Sequence, residues 1–183
     1  MLVYGVTGSG KTTLAERMSR VTGLPWHSVD ELTWEPGWMA VPDDEQRRRI
    51  AAICAQPEWI LDTAYARWLD VPLSRAELVV GLDYARWVSL GRLVRRTVTR
   101  WRAGTIICNG NREPRRVAFS RDSIVAWHFR SFGHKRARMR AWAAQPEGPR
   151  VLLLGSPGQA ERWLTRLDSV ARSPRTAEEE RWR

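Results

Sequence analysis

The chain has 183 residues, 43% of them apolar by type, enough for one compact domain with a full core and too few for a second large one. The formal net charge is +10, and the basic set is uneven: 28 arginines stand beside only two lysines, Lys11 and Lys135. No apolar run approaches the roughly 18 residues needed to cross a bilayer. The two cysteines, Cys54 and Cys108, lack CxxC spacing, so a cytoplasmic protein with reduced thiols and no membrane contact is expected.

In chain order, Leu2-Val3-Tyr4 reads as a short buried strand, and Leu14, Met18 and Val21 recur at helical spacing from Thr13 onward. Between them, Gly5-Val6-Thr7-Gly8-Ser9-Gly10-Lys11-Thr12 fits G-x-x-x-x-G-K-[ST] at every fixed position. Three glycines allow positive φ, so successive N–H groups can turn inward on phosphate oxygens at a helix N-terminus. Lys11 would then reach the β- and γ-phosphates, and the Thr12 hydroxyl could ligand Mg²⁺. The expected ATP contacts are Gly5, Thr7, Gly8, Ser9, Gly10, Lys11, Thr12 and Thr13. A chain that almost always chooses Arg has one of its two lysines here.

Further buried strands are predicted at Trp59 to Asp62, Leu78 to Asp83 and Val151 to Gly155, with a weaker one at Trp26 to Val29. Helical patterns separate them at about 43 to 56, 84 to 103, 121 to 145 and 157 to 169, an alternation that predicts a parallel sheet covered on both faces. In the penultimate helix Val125, Phe129, Phe132, Met139 and Trp142 form the expected core stripe. His128 and His134 on that helix have no partners at ligand spacing, so no metal role is expected for them. The kinase-like body is expected to span 1–171, and the polar stretch 172–183 to be a flexible tail.

Ligands of such a sheet bind at the carboxyl ends of strands, which draws attention to Asp30, Asp62 and Asp83. Asp62 is the expected Mg²⁺ carboxylate opposite Thr12, with Asp83 as its rival; a strand-end Asp can equally be a cap. Asp30 could take the proton of an acceptor hydroxyl. Trp34 and Trp38 flank the turn Glu35-Pro36-Gly37 and serve either the acceptor or core packing. The segment from Arg86 to Arg140 carries a local net charge of +13, and its Asn109-Gly110 turn signal suggests a mobile loop over the triphosphate.

With these pieces together, the chain resembles the adenylate-kinase-like group of small P-loop kinases. It is most similar to the branch called topology-modulation or FlaR-like proteins, through Leu24 to Trp38, Trp59 to Tyr65 and Leu82 to Trp87. The resemblance implies a P-loop NTPase α/β/α fold with a five-stranded parallel sheet in the order 2-3-1-4-5. It also implies an acceptor segment at about 30–56 and an Arg-bearing lid at about 103–120. By the same resemblance, Arg92 contacts the nucleotide and Arg96 its phosphates, with Arg112, Arg116 or Arg121 as further lid candidates. The segment after the third strand departs from the adenylate kinase pattern, leaving Arg67 one residue off register.

The expected function is Mg²⁺- and ATP-dependent phosphoryl transfer to a small acceptor, a nucleoside monophosphate or a hydroxyl metabolite, by a monomer or weak dimer. Lys11, Asp30, Arg92 and Arg96 are the expected catalytic residues and Thr12 and Asp62 the expected metal ligands. The alternative is a nucleotide-binding regulatory protein that contacts nucleic acid through its Arg-rich region, although no helix-turn-helix, RRM or zinc pattern is present. An ATPase switch ranks last, since no water-positioning Gln stands near the lid.

Overall fold

The computed structural model describes residues 1–103, 106–112 and 123–172. Its central sheet is built from β1 (Leu2–Gly5), β2 (Trp26–His27), β5 (Ile60–Leu61), β6 (Leu78–Leu82) and β9 (Arg150–Leu154). All pairs are parallel, in the order β2-β5-β1-β6-β9. Counting only the strands of this sheet, the order is 2-3-1-4-5, as expected.

Two-residue alternation divides the core. Leu2 and Tyr4 of β1 and Val79 of β6 face one cluster with Ile50, Trp68 and Met139, while Val3 and Val80 face the other with Leu14, Met18 and Leu164. The first cluster is covered by α3 (Asp43–Cys54) and α6 (Ile124–Ala144), the second by α1 (Lys11–Thr22) and α7 (Pro157–Arg172). Gly10 and Gly23 bound α1 in left-handed conformations, and the Gly23 N–H closes the last turn on the Ser19 carbonyl at 2.8 Å. At the start of α6, the Ser123 hydroxyl caps the Ala126 N–H at 3.1 Å.

Two short hairpins and two short helices lie at the edges of this frame. Beyond β2 come α2 (Val29–Thr33) and the hairpin of β3 (Trp34–Glu35) and β4 (Met39–Ala40). After β5 comes α4 (Asp70–Leu73), and after α5 (Arg86–Ala103) a second hairpin of β7 (Ile106–Ile107) and β8 (Asn111–Arg112). Residues 104–105 and 113–122, which hold much of the lid expected at about 103–120 with Arg116, and Arg121 beyond it, lie outside the described residues, as do residues 173–183 of the expected tail and the Arg112 side chain.

The stripe expected on α6 is corrected at its N-terminal half. Phe129 is 50% exposed, and the inward positions are His128, Phe132, Lys135, Met139 and Trp142, at spacings of four, three, four and three. Apolar residues of this face meet the sheet. Of its two polar residues, His128 at the N-terminal end meets the Thr7 carbonyl of the loop after β1, and Lys135 lies between Phe132 and Met139 over the Tyr4 ring.

Asp83 ends β6 in a structural role. Its side chain is 9% exposed, and its oxygens accept from Arg136 Nε at 2.6 Å and Arg140 Nε at 2.9 Å, while its N–H donates to the Leu154 carbonyl at 2.9 Å. These bonds tie α6 to the carboxyl ends of β6 and β9. Asp83→Asn is expected to lower stability by about 1–3 kcal/mol, read as a shift in the urea midpoint, because Arg136 and Arg140 both lose a buried charged partner. An unchanged midpoint would contradict this role.

Candidate active site

The loop between β1 and α1 is built around one carbonyl. Val6 O accepts the Ser9 N–H at 3.2 Å, the Ser9 hydroxyl at 2.8 Å and the Lys11 ammonium at 3.1 Å. Gly8 and Gly10 have φ of 82° and 95°, a region that L side chains enter at a cost. Gly5 does not have positive φ; it is required for space, since a Cβ there would lie 2.8 Å from Ser9 Oγ and 3.1 Å from Leu82 Cβ. Gly8 meets both demands, because its Cβ would lie 2.4 Å from the Ser89 carbonyl and 2.8 Å from Leu93 Cβ on α5.

That close approach brings α5 onto the loop. Arg92 reaches it, with Nη1 3.4 Å from the Ser9 carbonyl and the guanidinium 3.6 Å from the Cβ position of Gly10. Arg96, one turn on, is close enough to oppose the charge on Lys11. The loop is held from the other side by His128, whose ring is fully buried and whose Nδ1 lies 3.0 Å from the Thr7 carbonyl.

Asp62, at the end of β5, is 4% exposed and accepts the Val29 N–H at 3.0 Å. Burial pushes its carboxyl above the ordinary range, and the Val29 N–H and the Thr12 hydroxyl hold it down. Lys11 is pulled below its ordinary value chiefly by burial, with Asp62 and Asp30 supporting its charge. Thr12, Asp62 and Lys11 therefore form one cluster at the mouth of the loop. Hard oxygen donors of this kind, a hydroxyl and a carboxylate, suit Mg²⁺, which takes few protein ligands and completes its shell with phosphate and water. Among the described residues no group of three or more His, Cys, Asp or Glu could hold a metal alone.

Across the cleft, Asp30 on α2 accepts the Tyr65 hydroxyl at 2.8 Å. Burial first, and Asp30 next, push that phenol well above its ordinary value, so it stays a donor. The hairpin expected to lie over the triphosphate instead docks, in its described part, on the stretch from Asp30 to Trp38. Asn109 Nδ2 donates to the Glu31 and Trp34 carbonyls at 2.8 and 2.6 Å, and Asn111 Nδ2 donates to the Glu35 carbonyl at 3.0 Å. Asn111 Oδ1 accepts the Trp38 N–H at 2.9 Å. Trp34 and Trp38 meet edge to face at 5.8 Å between ring centres.

Arg67 pairs with Asp43, its guanidinium 5.7 Å from the centre of the Tyr65 ring. On α3, Arg47 pairs with Asp70, Arg48 with Asp44 and Glu45, and Arg49 with Glu45 and Glu35. The residue missed in the sequence is Lys135, whose ammonium lies 6.0 Å from the Tyr4 ring centre and is pulled down to about 7 by burial and then by Lys11. Its signal was its rarity: both lysines of an arginine-dominated chain converge on one cleft.

No protein-family profile matches the chain, and no curated protein does. Solved structures are similar to it over most of their length. A sugar kinase from a Janibacter species matches at 23% identity and a TM-score of 0.51, covering 91% of this chain and 92% of that one. A gluconokinase from Sinorhizobium meliloti matches at 19% and 0.50, covering 92% and 93%. A shikimate kinase from Bacteroides thetaiotaomicron matches at 16% and 0.54, covering 92% and 96%. At these identities the likeness establishes the architecture, which is the fold of small P-loop kinases.

The contact between His128 and the loop yields a pH prediction. Burial lowers the affinity of His128 for a proton below the ordinary 6.5, outweighing the Thr7 carbonyl, which raises it. The unfolded chain then binds the extra proton more readily, so stability is retained above pH 6.5 and falls as pH drops below it. Urea unfolding from pH 7.5 to 5 should show this loss, and His128→Gln should flatten it; an equal slope in the variant would contradict it.

Proposed function

We propose that the protein is a Mg²⁺- and ATP-dependent phosphotransferase acting on the hydroxyl of a small acceptor. The observation that carries this reading is the cluster of Lys11, Thr12 and Asp62 at the mouth of the glycine loop, with Asp30 facing it across the cleft. The loop N–H groups and Lys11 would hold the β- and γ-phosphates, with Lys11 exchanging its bond to Val6 O for phosphate oxygens. Thr12 and Asp62 would hold Mg²⁺, which when bound neutralises phosphate charge. Arg92 and Arg96 would approach the nucleotide from α5, where fixed cations stabilise charge spread over the transferring group.

The acceptor oxygen forms the new bond to phosphorus while the bond to the β–γ bridging oxygen breaks. Its proton passes to Asp30, oriented by the Tyr65 hydroxyl. A hydroxyl metabolite is favoured over a nucleoside monophosphate, because Arg67 and the α3 arginines of the acceptor side already pair with carboxylates. The sugar and shikimate kinases sharing this fold bear names of hydroxyl acceptors and support the same choice. The finer likeness to the topology-modulation branch rests on the Trp-rich segment Leu24 to Trp38 and on the motifs around Asp62 and Asp83.

One observation favours a second reading. The outer face of α5 exposes Trp87 at 77% and Trp101 at 52% among arginines, a pairing of aromatic surface and positive charge that suits single-stranded nucleic acid. Such binding would weaken steeply with salt and would not depend on Lys11.

ADP release from Mg²⁺-ATP across a panel of hydroxyl metabolites and nucleoside monophosphates tests the first reading. One acceptor should stimulate turnover, and Lys11→Ala and Asp62→Asn should each cut it at least 100-fold without loss of fold. Lack of stimulation by every acceptor, with salt-sensitive oligonucleotide binding unchanged in Lys11→Ala, would favour the second.

A further inference from the structure

Among the described residues three that are not glycine have positive φ, and all three meet at one junction. Trp38, at 58°, ends the turn of the β3–β4 hairpin, and Cys108 and Asn109, at 23° and 52°, form the turn between β7 and β8. Asparagine enters this region readily, but a bulky residue such as tryptophan does so only where its surroundings hold it. Trp38 is held by Asn111. That side chain is 4% exposed, and both ends of its amide are used: Oδ1 accepts the Trp38 N–H at 2.9 Å, and Nδ2 donates to the Glu35 carbonyl at 3.0 Å and the Cys108 carbonyl at 2.8 Å. One buried amide therefore joins the two hairpin turns.

The same turn holds the helix that carries Asp30. With five residues α2 is too short to stand alone, and its last carbonyls need partners from outside. Asn109 Nδ2 donates to the carbonyls of Glu31 at 2.8 Å and Trp34 at 2.6 Å, and Cys108 Sγ donates to the Asp30 carbonyl at 3.1 Å. Burial pushes that thiol up to about 11, so it keeps the proton it donates. The Asp30 backbone is thus fixed from the β7–β8 turn while its carboxylate accepts the Tyr65 hydroxyl. Trp34, which caps α2 through its N–H on the Asp30 carbonyl, meets Trp38 edge to face, so Asn111 also sets the far side of that pair.

Resting on the phosphotransferase reading above, in which Asp30 takes the acceptor proton, we propose that Asn109 and Asn111 are positioning residues for the acceptor. Asn109 and the Cys108 thiol fix where Asp30 stands, and Asn111 fixes Trp38 against Trp34. A base displaced by about 1 Å can lose on the order of a hundredfold in rate, so these amides act on turnover without touching substrate. None of the partners named here belongs to the loop after β1, so the effect falls on the acceptor and spares ATP.

The test is steady-state kinetics of the native protein, Asn109→Asp and Asn111→Ala, together with hydrogen exchange over residues 29–38. The substrates are Mg²⁺-ATP and the hydroxyl metabolite that most stimulates ADP release in the panel above. Asn109→Asp keeps the shape and the tolerance of positive φ but cannot donate. Each variant should lower kcat/KM for the acceptor at least tenfold, leave KM for ATP within twofold and speed exchange over 29–38. Asn109 is exposed, so its variant serves alone if Asn111→Ala melts lower. Equal losses toward ATP and acceptor, or native acceptor kinetics despite faster exchange, would overturn the proposal, as would native exchange in both variants. If no acceptor stimulates the native protein, the phosphotransferase reading itself fails and the acceptor role falls with it.

Discussion

The closeness of α5 to the loop after β1 is the constraint on which the site depends. A side chain at Gly8 would sit 2.4 Å from the Ser89 carbonyl, so that backbone approach exists only because position 8 has no Cβ. The approach sets Arg92 against the loop and Arg96 one turn beyond, near Lys11. On the opposite side His128 fixes the Thr7 carbonyl. The loop is therefore gripped between two helices rather than left as a mobile turn. This is what a phosphate cradle requires, since its N–H groups must be aimed before the anion arrives.

Electrostatics follow from this packing. Cations from three helices, Lys11, Arg92, Arg96 and Lys135, gather where the sheet ends, and the two carboxylates there already accept from neighbours of their own. The imbalance invites a polyanion. On the acceptor side the pattern reverses: the arginines are ion-paired on the surface, and the exposed polar groups around Asp30 are carbonyls and amides held by the Asn109–Asn111 hairpin. Surface pairs of this kind contribute little to stability. Their importance here is that, among the described residues, Arg47, Arg48, Arg49 and Arg67 have carboxylate partners of their own.

Much of this was legible in the sequence, because the signals were local. Gly5 to Thr12 announces its own conformation, and the apolar runs ending in Asp62 and Asp83 gave the strands, while their order in the sheet came from the family resemblance. What holds Asp83 was not local: Arg136 and Arg140, more than fifty positions away, bond one oxygen each. The α6 stripe failed for a related reason. Periodicity favoured the apolar Phe129 over the polar His128 and Lys135, whereas the true inward face passes from core to cleft along its length. The docking of the Asn-Gly hairpin on the acceptor segment was equally hidden, since it is made by side-chain amides and backbone carbonyls some 75 residues apart.

A crystal structure of the protein with Mg²⁺ and a non-hydrolysable ATP analogue tests the central claim most directly. The triphosphate should lie in the loop, with Lys11 Nζ moved from the Val6 carbonyl to within about 3 Å of a β- or γ-phosphate oxygen and the metal beside Thr12 and Asp62. A nucleotide bound elsewhere, or one bound in the loop with Lys11 still on Val6, would contradict the account.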